Sequence, residues 1–238
     1  GTIPVKHEPA KFHHLGSANT DVYIGIARAD APAATFADVL QKEIIIAASN
    51  ASSTADYAQI LANTVGARFR IVMGYAGSRE IALAIDKGEA QGACGLAWPS
   101  ISVTQGDWFG QGPVNSRMRV ILQTHSVGHP ELNAAGVPLA ISFARNDEQR
   151  AILNLFFSQS QFGRPYILPA ETPPERVAAL RQAFAATMAD PQFKAEAAKF
   201  KLDVDAVPGE AVQKVVADIY ATPPELIAKT KQALQQKK

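Results

Sequence analysis

VYIGIA (Val22–Ala27), EIIIAA (Glu43–Ala48), FRIVM (Phe69–Met73) and AQGACGL (Ala90–Leu96) are four short apolar runs set at even intervals. Between them lie segments whose apolar residues recur at helical spacing. Ala31–Gln41 carries Phe36, Val39 and Leu40 on one face, with Thr35 as a candidate cap. Asp56–Val65 carries Tyr57, Ile60, Leu61 and Val65. Arg79–Lys87 ends at Gly88, a residue that accepts left-handed geometry at a helix terminus. EIIIAA is continuously β-branched or small, as a strand covered on both faces requires. The stretch therefore reads β-α-β-α-β-α-β, which predicts right-handed crossovers and a mostly parallel sheet.

Outward from this stretch, the chain is loop-rich from Trp98 to Gly112, and MRVIL (Met118–Leu122) is one more strand. Glu131–Pro138 reads as loop. Helices are expected over Asp147–Phe157, Glu175–Met188, Pro191–Phe200, Gly209–Ala221 and Pro224–Gln236. FGRPYILPAETPPERVAAL (Phe162–Leu180) runs from an extended segment into a turn and then a helix. Thr172 followed by Glu175 has the spacing of a capping box, and proline is tolerated in a first helical turn. The same grammar returns at Thr222-Pro223-Pro224-Glu225.

In order and spacing these segments resemble the solute receptors of tripartite tricarboxylate transporters. FGRPYILPAETPPERVAALRQAF with ADPQF, the closing EAAKFKLDVDAVPGEAVQKVVADIYATPPELI, the leading KFHHLGSANTDVYIGI and GYAGSREIALAIDKGEAQGACG carry the likeness from Lys11 onward. The resemblance implies an α/β, periplasmic-binding-protein-like fold of two lobes, with mostly parallel sheets flanked by helices. It implies that 22–122 is the second lobe, and that 1–21 with 123–238 is a partial first lobe plus C-terminal helices. The family's opening strand, Gly-rich loop and helix have no counterpart here, so the first lobe is expected to be incomplete. It also implies a periplasmic receptor that closes over a small organic carboxylate and delivers it to membrane permease subunits, without a cofactor or covalent chemistry. An incomplete lobe would expose apolar surface, so a homo-oligomer or domain-swapped pair is expected.

Composition fits this reading. Apolar residues make up 47% of the chain, charged residues 19%, and the net charge is +1. That balance gives no field for nucleic acid or an anionic membrane. No apolar run reaches the roughly 18 residues of a membrane span. GTIPVKHEPA has no signal-peptide core; a mature exported protein lacks one as well, so this decides nothing. Cys94 has no partner for a disulfide within the chain and reads as a small buried residue.

Ligands of open α/β sheets bind beyond the carboxyl ends of the strands. Three segments fall there. Ser49, Asn50, Ser52, Ser53 and Thr54 lie between a strand and a helix, where hydroxyls and unpaired N–H groups suit a carboxylate. Tyr75, Gly77 and Ser78 repeat that setting. Trp98 and Ser100 follow the strand ACGLA. Each loop alone reads equally as a helix cap or turn; three on one edge point to binding. Arg164 offers a bidentate partner for a carboxylate, or a structural ion pair. Trp98 and Trp108 read first as packing residues. His125 and His129 are four apart, but Gly128 and Pro130 place them in a loop, so no metal site is expected. Neither GxSxG nor GxxxxGK[ST] is present. The competing readings are an α/β enzyme with an unplaced Ser/His/Asp or carboxylate-pair site, and a receptor-like domain without ligand.

Overall fold

The computed structural model describes residues 8–235; the GTIPVKH start and the Lys-rich end lie outside them. The chain forms two compact units, 8–21 with 158–224, and 22–157 with 225–235. β1 (His13–Ser17) belongs to the first. The second holds β2 (Tyr23–Arg28), α1 (Phe36–Val39), β3 (Ile44–Ser49), α2 (Ser53–Val65), β4 (Phe69–Tyr75), α3 (Ser78–Asp86), β5 (Gly92–Ala97), α4 (Trp98–Thr104), β6 (Met118–Thr124), α5 (Pro130–Ala134) and α6 (Asp147–Phe157). The first unit resumes with β7 (Pro165–Leu168), α7 (Pro174–Ala189), α8 (Pro191–Lys199), β8 (Val207–Pro208) and α9 (Gly209–Tyr220), and α10 (Pro224–Ala233) packs on the second.

The larger sheet has the order β4-β3-β5-β2-β6. β3 runs parallel to β4 and β5, while β2 runs antiparallel to β5 and β6. Four strands thus share one direction and β2 opposes them. The expected helix Ala31–Gln41 is the reason. It shrinks to the four residues of α1, capped by Thr35 and Asp38. A crossover between parallel neighbours needs a dozen or more residues, mostly helix, to carry the chain back along the sheet. α1 is too short for that, so the chain turns at the far edge and β3 starts where β2 ends.

Both faces of this sheet are covered. One carries Phe36, Ile44, Ile46, Tyr57, Leu61, Leu122 and Leu153. The other carries Ile24, Ile26, Ile81, Ile85, Trp98, Trp108 and Met118. The continuous apolar reading of EIIIAA follows from this double coverage. Ala140, Ile152, Leu153, Phe157 and Ala233 join the first cluster. Residues 123–157 and 225–235 therefore pack with 22–122 rather than with the flanking part, and the unit is wider than the sequence reading drew it.

The smaller unit is built on a three-stranded antiparallel sheet, order β7-β1-β8. α7 and α9 pack on β1. A Cβ at Gly16 would stand 2.2 Å from the Phe184 ring, and one at Gly209 would stand 2.2 Å from the His14 carbonyl. The expected Thr172 capping box does not form. The cap position is Pro173, without a side-chain bond, because the Thr172 N–H closes a turn onto Pro169 and the helix starts a residue later. Glu131–Pro138 and Trp98–Gly112 are also more helical than expected, through α5 and α4.

Candidate functional site

The parallel run of β3, β4 and β5 brings their carboxyl ends to one edge of the larger sheet. Ser49 pairs with Tyr75 across β3 and β4, and Tyr23 at the start of β2 lies opposite both Ala97 and Thr124. The edge therefore reads Tyr75, Ser49, Ala97, Tyr23, Thr124 across the five strands. Ser49–Thr54, Tyr75–Ser78 and Trp98–Ser100 all sit there, as the sequence placed them.

The first loop is internally bonded. Ser49 Oγ donates to Ser52 Oγ at 2.7 Å, Ser52 and Thr54 hydroxyls lie 2.8 Å apart, and the Ser49 N–H donates to Thr54 Oγ1. Ser53 Oγ donates to the Gly95 carbonyl at 3.0 Å. These hydroxyls hold the loop in shape and are engaged with it. What the loop leaves open is its backbone. Ala51 takes φ +46, and α2 has no side-chain cap over its first N–H groups. A helix N-terminus with unmet donors and the positive end of the dipole attracts an anion.

The second loop has the same character. Gly77 is the cap residue of α3, in extended backbone and without a side-chain bond, and Ser78 is the first helical residue and exposed. Asp56 and Glu80 stand in the first turns of α2 and α3. Burial holds the Asp56 carboxyl above its usual range.

The third loop contributes less. The Trp98 ring is buried against Phe109, and its indole N–H donates to Glu131. The Trp98 backbone N–H bonds the Val22 carbonyl, and Pro99 has no N–H. Only Ser100 remains exposed there. Arg164 stands in the smaller unit. Its Nη1 is 3.0 Å from Asp21 Oδ2, and its backbone N–H donates to Ser17 Oγ. The structure thus assigns it the ion-pair alternative.

Two segments at the same edge escaped the sequence reading. Tyr23 and the turn after Thr124 arrive there because β2 and β6 run opposite to one another; nothing in the periodicity signals that direction. The described residues hold no group of three His, Cys, Asp or Glu side chains able to bind a metal. Burial pushes the Cys94 thiol up to about 12, which makes it a core residue rather than a nucleophile. Cavities of about 450 and 410 Å³ lie in the smaller unit, around Arg181 and Glu210.

No family model and no curated protein matches the chain. Solved structures do. A TctC solute-binding protein from Polaromonas, without ligand, matches with a TM-score of 0.65 at 18% identity, over 94% of this chain and 72% of that one. An adipate-bound protein of R. palustris matches at 0.59 and 14%, over 97% and 71%. MatC from Rhodopseudomonas palustris, with bound malate, matches at 0.55 and 14%, over 98% and 73%. The chain has the α/β fold of these periplasmic-binding-protein-like structures.

Proposed function

We propose that this chain is an extracytoplasmic, periplasmic receptor for a small organic carboxylate, which it passes to the permease subunits of a tripartite transporter. One observation carries the reading: two uncapped helix N-termini, those of α2 and α3, open onto the same strand edge. Each presents backbone donors beside small residues, which is the chemistry a carboxylate needs. The fold supports it, since structures of that fold hold adipate and malate. No helix among the described residues is long and apolar enough to cross a membrane. The ligand contacts are the N–H groups of Asn50 to Ser53 and of Ser78, with Ser100, Tyr75 and the Gly77 backbone on the rim. The role asks for binding and release, and for no bond-breaking step.

Proline at a first helical position removes an N–H without breaking the helix. Ser53 and Ser78 both occupy that position, and both follow residues in extended backbone, as a following proline requires. Titration calorimetry with malate and adipate tests the site. Ser53→Pro and Ser78→Pro should each weaken binding by roughly tenfold, the value of one bond to a charged group. Ser53→Ala and Ser78→Ala should do less, since they keep the N–H. Proline variants that bind as the parent does would move the site elsewhere.

A further inference from the structure

α2 carries one of the two termini on which the receptor reading depends, and it is pinned to the larger unit at two points. The first pin is on β5. The register with β2 shifts there: Ile24 faces Leu96 and Gly25 faces Cys94, so Gly95 is the extra residue of a β-bulge, with φ +68. The bulge lets the start of the helix come down on the strand. A Cβ at Gly95 would stand 2.3 Å from the Ser53 carbonyl, and Ser53 Oγ donates to the Gly95 carbonyl at 3.0 Å. The second pin is Tyr57, one helical turn after Ser53 and about 6 Å further along the axis. Its buried ring is packed by three others: Tyr23 stacked at 4.8 Å, Phe157 stacked at 5.7 Å and Phe156 edge-on at 4.9 Å. Such ring pairs stabilise beyond the area they bury.

Tyr23 is the outermost member of this group. It is partly buried against the cluster that contains Tyr57, and it lies at the start of β2, opposite Ala97, two residues past the Gly95 bulge. Both pins therefore belong to the strand edge onto which α2 opens. Two points fix the direction of a rod. A helix terminus held at one point can tilt; held at two, its N–H groups keep one aim. Donors already in place bind an anion without the entropic cost of ordering them. We infer that Tyr23 is a positioning residue for the carboxylate: its stack on Tyr57 holds α2 so that the donors of the first turn converge on the ligand. Affinity then depends on a side chain that acts through the helix rather than by touching the ligand. The inference rests on the receptor reading above.

Titration calorimetry with malate and adipate, beside urea midpoints of the same variants, separates positioning from stability. Tyr23→Phe keeps the ring and its stack, and should bind both acids within about twofold of the parent. Tyr23→Ala should weaken both alike, by about three- to tenfold, up to the value of one bond to a charged group, because both acids use the same donors. Tyr23→Leu fills space without offering a ring face. It should lose affinity as alanine does, and it carries the test if Tyr23→Ala fails to fold. A lower urea midpoint for Tyr23→Ala and Tyr23→Leu with the parent's affinities, while Ser53→Pro loses them, would make the stack a matter of stability alone and leave the receptor reading standing. Tyr23→Phe as weak as Tyr23→Ala would make the hydroxyl a ligand contact and overturn the positioning role. A parent that binds neither acid would overturn both readings.

Discussion

Arg164 holds its Nη1 3.0 Å from Oδ2 of Asp21, a carboxylate only 4% exposed although the arginine itself is 59% exposed. The pair ties the strand that follows 158–163 to the segment that leads into β2. Backbone bonds from Asp21 to Ser160, Gly163 to Asn19 and Ala18 to Arg164 run alongside it. A cation engaged with a buried carboxylate has a structural task. Arg164→Ala should cost about 2 kcal/mol, within the range for a hydrogen bond to a charged group. Urea unfolding reads that loss. Titration with malate or adipate should show affinity within about twofold of the parent. A tenfold loss of affinity without loss of stability would return Arg164 to the ligand site.

Gly95 faces a different constraint. Its φ is +68, and a Cβ would stand 2.3 Å from the Ser53 carbonyl, at the start of α2. β5 and the α2 terminus can approach this closely only over a glycine. Gly95→Ala should cost about 3 kcal/mol or more, from backbone strain plus displacement of the helix start. Gly66 is the control: φ is +82, with nothing within 4 Å of its added Cβ. Gly66→Ala should cost only about 1–2 kcal/mol, the strain alone. Equal losses for the two variants would show that the close approach is unimportant.

The alternation of apolar runs is enough to place β3, β4, β5 and the helices between them, because β3 and β5 are covered on both faces and each helix has its own amphipathic stripe. Thr35 and Gly88 were legible because a cap needs only local chemistry. Strand direction was not. Whether β2 opposes its neighbours depends on the reach of the connection to β3, and FADV was too weakly distinguished from its flanks to show that α1 is a single turn. The hydroxyls of Ser49, Ser52 and Thr54 are visible in the sequence, yet their bonding to one another cannot be read from spacing. The same holds for Trp98, whose ring turns inward because Phe109 and Glu131 meet it there. Donors and acceptors are paired by tertiary contact, and sequence shows only that they exist.

The smaller unit leaves Tyr166 and Ile167 on β7 about half exposed, and β7 is an outer strand of its sheet. Both large clusters of buried apolar side chains belong to the other unit. An exposed apolar edge strand is a template for pairing between copies. We expect concentration-dependent association, read by sedimentation equilibrium, and Ile167→Lys should abolish it. A parent that stays monomeric to millimolar concentration would show that the short β7, with Pro165 at its start, is edge enough protected.

The Cys94 thiol gives a stability change with a defined pH window. Burial in β5 pushes it up to about 12, against about 8.5 for a free cysteine. Above pH 8.5 the unfolded chain loses the thiol proton while the folded chain keeps it. Stability then falls with rising pH, because the folded state binds more protons. The contribution is fully present below about pH 8.5 and is lost progressively toward pH 12, at about 1.4 kcal/mol for each unit of difference between the two states. Lysines and tyrosines titrate in the same range, so the informative quantity is the difference between the parent and Cys94→Ala. The variant leaves a small void beside Gly25, whose own added Cβ would meet the sulfur at 3.3 Å, and should be less stable than the parent at pH 7. From pH 8.5 to 10.5 the gap between the two should narrow, since only the parent carries the thiol penalty. Urea midpoints of both proteins across that range measure it. A gap that stays constant would mean that the folded thiol ionises as freely as the unfolded one, which a side chain only 1% exposed does not allow.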